Sequence, residues 1–238
     1  MSFNFISAIK RPFTDFSKLG IGIILLIIPY VNIITGFLVR GYKLEAAKSV
    51  FKKKYEMPKW ADFGNLFVRG LLSWIIGIIY MLPGIIFIIA SVGKIIYTLI
   101  TQYKINQGLG VGNALSDQLI QRTLLEIPSR IPLFILGILF VLLAGYITPI
   151  AIMKYIEKYK FNDAFNIGFI FKKAFTGRYF IGILAILLYA IVIGLASSAL
   201  NLGFAAINVQ FLSVILISII NGLSGFIVMI TSYTIIAE

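Results

Sequence analysis

The sequence predicts an all-α integral membrane protein with about five transmembrane helices, or six, and two basic amphipathic segments at the membrane interface. Composition is the first reason: 60% of the 238 residues are hydrophobic and only 13% are charged, whereas a soluble domain carries roughly a quarter of its residues charged. Charge segregation is the second. Runs without charge cover 21 residues between Lys18 and Arg40, 24 between Arg69 and Lys94, 23 between Arg130 and Lys154, and 59 between Arg178 and Glu238. About 20 apolar residues cross the ~30 Å of hydrocarbon, so the first three runs hold one crossing each and the last holds two. Backbone in hydrocarbon must satisfy its own hydrogen bonds, and runs of this length do so as helices rather than as a barrel.

Taken in order, the spans are 19–39, 71–93, 131–153, 179–200 and 211–237, within a single polytopic domain, 1–238. The run that follows Lys10, Arg11 and Lys18 is too long for a signal-peptide core and no small-residue cleavage pattern follows it, so it reads as a retained span. Pro29 in the first span and Pro83 in the second each remove a helix hydrogen bond, which predicts kinks.

Lys and Arg counts orient the spans. Residues 40–69 carry eight, 154–178 carry six, the N-terminal tail three, 94–130 four and 201–210 none. With five spans, fourteen against seven puts the 40–69 and 154–178 connectors in the cytoplasm and the N-terminus outside. Lys10 and Arg11 strain that arrangement; a re-entrant first segment broken at Pro29, or a sixth crossing over 94–113, would bring them inside.

The two basic connectors are also rich in aromatic residues. In "FKKKYEMPKWADFGNLFVRG", Met57 precedes proline and is biased toward extended backbone, Asp62 is placed to cap a new helix, and Phe63, Leu66 and Phe67 follow at helical spacing. Trp60 and Tyr55 suit the headgroup zone. The second stretch, about 160–176, places Phe161, Phe165 and Phe169 four residues apart between lysines. Both stretches read as interfacial segments, with Lys52, Lys53, Lys54, Lys59, Trp60, Arg69, Lys172, Lys173 and Arg178 as the lipid-interface residues. Arg69 to Tyr80 and Arg178 to Tyr189 share an eleven-residue spacing, which suggests a same-orientation duplication.

The order "LLIIPYVNIITGFLVRGY", "MPKWADFGNLFVRGL", "IYMLPGIIF" and "YITPIAIMKYI...FNDAFNIGFIF" resembles the polytopic membrane-protein family of archaea and bacteria catalogued as domain of unknown function four thousand and thirteen. The likeness covers about residues 10–236. Its most specific part is the pattern of Pro58, Trp60, Asp62, Gly64 and Phe67 followed by Gly70. It implies a multi-pass protein of the cell membrane and brings no activity, cofactor or catalytic residue with it.

Several chemistries are disfavoured by the residues themselves. All nine acidic residues lie outside the proposed spans, which leaves no side-chain proton relay at the midplane. Lys94 sits near a span end, where its stem can snorkel. The chain has neither His nor Cys, so a transition-metal site, a serine–histidine hydrolase and thiol chemistry are not expected. Gly108, Gly110 and Gly112 lack the strand and the Lys-Ser/Thr of a phosphate loop. A net charge of +12 on a membrane protein points to orientation and anionic headgroups, not to nucleic acid. Small and amide residues in the last two spans (Ala190, Gly194 and Ser198; Ser218, Asn221, Gly222 and Gly225) predict close packing of an antiparallel helix pair.

The function these observations favour is non-catalytic: a protein that interacts with lipid or scaffolds, with anionic headgroups as its partners and a membrane-protein partner or a second copy as a further one. The alternative is a small transporter or channel for an uncharged or anionic solute. A row of Asn32, Thr35, Ser73, Asn201 and Asn221 facing one cavity would favour transport.

Overall fold

The computed structural model describes residues 4–28, 32–108, 117–206 and 209–238. Among them there are helices and no strands. Four helices are long and apolar enough to cross a membrane, over Phe63–Thr98, Ile127–Lys158, Gly177–Ala205 and Gln210–Ala237. The chain forms two compact units, Met1–Ile76 with Ile147–Glu238, and Gly77–Tyr146.

The first unit starts with a short helix, α1 (Phe5–Lys10), a 3₁₀ turn over Arg11–Phe13, and α2 (Phe16–Ile27). Asp15 begins α2 by accepting the Lys18 N–H at 3.1 Å, the orphan donor that an N-cap satisfies. The helix stops because Ile28 takes extended backbone (φ −66°, ψ 113°), as the residue ahead of a proline does. Helix resumes as α3 (Asn32–Phe51). The stretch proposed as one kinked span, 19–39, is therefore two helices; Pro29 itself lies outside the described residues. The pair folds back on itself, with Thr35 Oγ1 donating to the Leu25 carbonyl at 2.5 Å.

α3 ends at a residue in the left-handed region, Lys53 (φ 57°), a position that glycine usually fills. An irregular connector follows, and Asp62 then caps α4 (Phe63–Gly108) through the Asn65 N–H at 3.4 Å. α3 and the start of α4 run antiparallel with backbones touching. A Cβ on Gly41 would collide with the Leu66 carbonyl, and one on Gly70 with the Phe37 carbonyl. Phe37 packs edge-on against Phe67 and Trp74 at 5.6 and 5.7 Å.

After α5 (Asp117–Lys158) come a 3₁₀ turn over Phe161–Phe165, α6 (Ile167–Ala174), α7 (Gly177–Ala205) and α8 (Gln210–Ala237). Asn166 and Thr176 cap α6 and α7 through the N–H groups of Phe169 and Tyr179. The two basic connectors thus differ in build: 160–176 holds a separate capped helix, while 52–62 holds none. α7 and α8 are antiparallel: the Ser197 and Ser224 hydroxyls bond to each other, and Asn201 Nδ2 donates to Asn221 Oδ1 at 2.9 Å. α2 also runs against α8. Gly22 leaves room for the Phe226 ring, and Gly222 for the Ile27 side chain.

The core of this unit lies where α2, α3, α8 and the connector meet. Leu19, Val39, Tyr42, Ala46, Met57, Phe226, Ile227 and Ile230 are its buried members. Trp60 stacks on Tyr42 with centroids 3.7 Å apart and planes 7° from parallel.

In the second unit, α4 and α5 pack through Gly84 and Gly137, where a Cβ would meet Val141 and the Gly137 carbonyl, or Ile88 and the Gly84 carbonyl. Phe87 stacks on Phe140 at 5.4 Å, and Arg130 Nη1 donates to the Ser91 carbonyl at 3.2 Å. Pro83 sits inside α4, which stays helical across it. The glycine segment after Gly108 lies outside the described residues.

Candidate functional site

Ionisable and aromatic side chains of the first unit gather at one end, where α3 and α8 finish and α2, α4 and α7 begin. Arg11 is the most enclosed. It is 0% exposed, and donates from Nη1 to Thr234 Oγ1 at 3.0 Å and from Nη2 to Ser49 Oγ at 2.5 Å and the Glu56 carbonyl at 3.1 Å. Its Nε has no partner, and no carboxylate among the described residues pairs with it. Burial pulls the guanidinium down to about 10, against the favourable pull of Tyr42 and Tyr55. Arg11 ties the N-terminal segment to the ends of α3 and α8.

Further bonds extend this tie. Lys18 Nζ donates to the Met57 carbonyl at 2.9 Å and pairs with Asp15 at 2.8 Å. Trp60 Nε1 donates to the Lys18 carbonyl at 2.9 Å, and the Tyr42 hydroxyl to the Pro58 carbonyl at 2.7 Å. Burial holds the Tyr42 phenol above its ordinary value. Glu238 accepts from the Asn4 N–H at 2.7 Å and from the Tyr55 hydroxyl at 2.9 Å.

A second node joins α3, α4 and the end of α5. Glu45 accepts from both Arg69 and the Tyr159 hydroxyl. Arg69 and Lys48 lie over the Tyr159 ring, 4.0 and 3.8 Å from its centroid, a cation–π arrangement. Burial, then the bond to Glu45, push the Tyr159 phenol far up. Tyr159 holds this place from a left-handed backbone, φ 54°.

Beside these nodes lies a cavity of about 190 Å³. Ile150, Met153, Gly182, Ile183 and Ile235 form its apolar wall, and Lys154, Lys173, Thr176 and Arg178 its polar one. Lys154 pairs with Glu157 at 2.6 Å and lies 4.6 Å over the Phe169 ring. Arg178 Nη2 donates to the main-chain oxygen of Glu238 at 2.6 Å.

The lipid-interface residues read from the sequence divide into two groups here. Lys52, Lys53, Lys54, Lys59, Lys172, Lys173 and Arg178 are exposed. Trp60 turns into the core and Arg69 onto Glu45, because the connector is folded against Tyr42 rather than laid outward. In α7 the close approach runs through Ser197, while Gly194 and Ser198 are exposed and Ala190 is half-buried. On α8, Gly222 is buried against α2, Asn221 bonds Asn201, and Ser218 bonds its own helix at the Val214 carbonyl. Gly225 faces open space. Thr35 and Ser73 donate to the Leu25 and Gly70 carbonyls; the Asn32 side chain lies outside the described residues. Arg11, Glu45, Tyr159 and Lys154 escaped sequence reasoning. Only Lys154 with Glu157 left a signal, the i, i+3 spacing of an ion pair.

The family described as a protein of unknown function, DUF4013, matches residues 21–202. The chain belongs to this family. Within the DUF4013 chain, the most specific part of the resemblance acquires a physical account. Pro58 presents the carbonyl that Tyr42 bonds, Trp60 stacks and donates, Asp62 caps α4, Phe67 meets Phe37, and Gly70 admits the α3 backbone. No curated protein and no solved structure matches the DUF4013 chain.

Proposed function

We propose that this DUF4013 protein is a non-catalytic protein of the cell membrane that associates with anionic lipid headgroups through a basic cytoplasmic face. The observation that carries the reading is the tie made by Arg11, Lys18 and Glu238. It gathers the N-terminal segment, the 52–62 connector and the end of α8 at one end of the first unit.

The topology that follows has four crossings and one re-entrant hairpin. α2 has 12 residues, about 18 Å of helix, too short for ~30 Å of hydrocarbon. α3 is free of charge only as far as Val39. The α2–α3 pair therefore enters and leaves on one face, and the N-terminal segment joins the basic connectors there. Seventeen of the 21 Lys and Arg residues fall on that side and four on the other, a stronger inside bias than the fourteen to seven of a five-span arrangement. The segments 52–62 and 160–176 then lie at the inner interface, with Lys52, Lys53, Lys54 and Lys172 open to headgroups.

Reconstitution tests this reading. Replacing Lys52, Lys53 and Lys54 by Gln is expected to weaken enrichment of anionic over neutral lipid around the protein by about 1 kcal/mol per residue. Unchanged enrichment would remove the lipid-binding role.

A further inference from the structure

We infer that the N-terminal segment from Phe5 to Phe16 is an interfacial anchor, with Ile6, Ile9, Phe13 and Phe16 inserted at the boundary between headgroups and acyl chains. Its side chains are sorted by environment. Ala8, Arg11 and Pro12 are buried against the first unit, while Ile6 and Phe16 are 68% and 73% exposed and Ile9 and Phe13 are exposed with them. Single exposed apolar residues need no explanation, but four large ones within eleven residues mark a contact surface. Lys10 and Thr14, exposed between them, supply the polar edge that an interfacial helix keeps toward water.

Depth decides what covers that surface. α8 has 28 residues, about 42 Å of helix, whereas the hydrocarbon is ~30 Å thick. With α8 centred across it, about 6 Å of helix, roughly four residues, emerges at each end. The N-terminal segment is pinned to one emerging end: Arg11 Nη1 bonds Thr234 Oγ1 at 3.0 Å, and the Asn4 N–H bonds the Glu238 carboxylate at 2.7 Å. These bonds hold the segment level with the headgroups, where apolar side chains reach ~5–10 Å into the boundary. The apolar surface continues from Phe16 into α2, where Ile21 and Ile24 are also exposed. Beside the same end of α8, α6 repeats the sorting, with Ile167, Phe171 and Phe175 exposed and Ile170 and Ala174 buried. A lipid boundary at one depth covers both. The inference rests on α8 crossing the bilayer, and on neither the headgroup charge nor the leaflet.

The test uses the full chain in nanodiscs of neutral phospholipid. With no native cysteine, one nitroxide label at a time can be placed through Ile6→Cys, Ile9→Cys, Phe13→Cys, Phe16→Cys, Lys10→Cys or Thr14→Cys. All six side chains are exposed, so no label displaces a core residue. Spin relaxation by oxygen, which concentrates among acyl chains, is compared with relaxation by a water-soluble nickel chelate. The oxygen-to-nickel ratio is expected to be several-fold higher for the four apolar positions than for Lys10→Cys and Thr14→Cys. Replacing Lys52, Lys53 and Lys54 by Gln should leave these ratios unchanged, because insertion follows apolar area and not headgroup charge. Equal ratios at Phe16→Cys and Lys10→Cys would overturn the anchor while leaving the headgroup association standing. Labels at Ile6→Cys and Phe16→Cys immobilised and shielded from both reagents would overturn lipid as the occupant and mark a protein contact, such as a second copy.

Discussion

Gly70 and Gly41 carry more of this architecture than their size suggests, because a methyl group at either would occupy the space of a main-chain carbonyl on the facing helix. Backbone cannot step aside as a flexible side chain can, so Gly70→Ala is expected to cost about 1–3 kcal/mol, read as a lower unfolding midpoint in detergent. Gly64→Ala and Gly194→Ala, which meet nothing within 4 Å, should leave the midpoint unchanged. Arg11 makes the opposite demand. Its fork reaches three acceptors on separate segments, and a lysine cannot reproduce that geometry. Arg11→Lys is expected to destabilise by about 1.5–3 kcal/mol, measured in the same way. Asp15 supplies a pH dependence. The Lys18 side chain, then the Lys18 N–H, hold its carboxyl below the usual range. A depressed carboxyl stabilises the fold above its unfolded pKa, about 3.9, and that contribution is lost as pH falls through the depressed value. Asp15→Asn should flatten this acid limb of a pH–stability curve; an unchanged limb would show that Asp15 contributes nothing to it. Asp62 was legible in the sequence as a helix cap, whereas Trp60 was read toward the headgroups and packs on Tyr42 instead. Arg11 was not legible, since a charge in a basic tail reads as solvated until its acceptors are seen.

At the scale of elements, counting charge-free residues locates apolar helices and misjudges what one such run becomes. The 19–39 run is long enough to cross, yet Ile28 turns extended ahead of Pro29 and Thr35 bonds back to Leu25. Run length alone carries no information about such a reversal. Register in α7 was unreadable for a related reason. Small residues occupy Ala190, Gly194, Ser197 and Ser198, and only the direction of α8 selects Ser197. Trp60 posed a similar ambiguity: a ring with one N–H suits the headgroup zone and a polar-edged core equally. The α7–α8 hairpin accordingly depends on two polar contacts. Asn221→Leu should lower the stability of the pair by roughly 0.6–2 kcal/mol, seen in helix-pair association or thermal unfolding, whereas Ser198→Ala should have no effect.

Across the whole molecule, fold class and membrane residence were legible because they are properties of composition and of run length. The arrangement of the ends was not, because it depends on contacts between residues more than 200 positions apart, such as Arg11 with Thr234. In the proposed topology those contacts make an uneasy N-terminal tail part of one basic face, and the proposed lipid association depends on that face existing. The chain has no cysteine, so single cysteines can be introduced and labelled with a membrane-impermeant reagent in intact cells and in inverted vesicles. Lys10→Cys, Lys53→Cys and Lys172→Cys are predicted to label only in inverted vesicles, and Lys94→Cys only in intact cells. Labelling of Lys10→Cys in intact cells, with Lys53→Cys protected there, would contradict the re-entrant hairpin and the single basic face built on it.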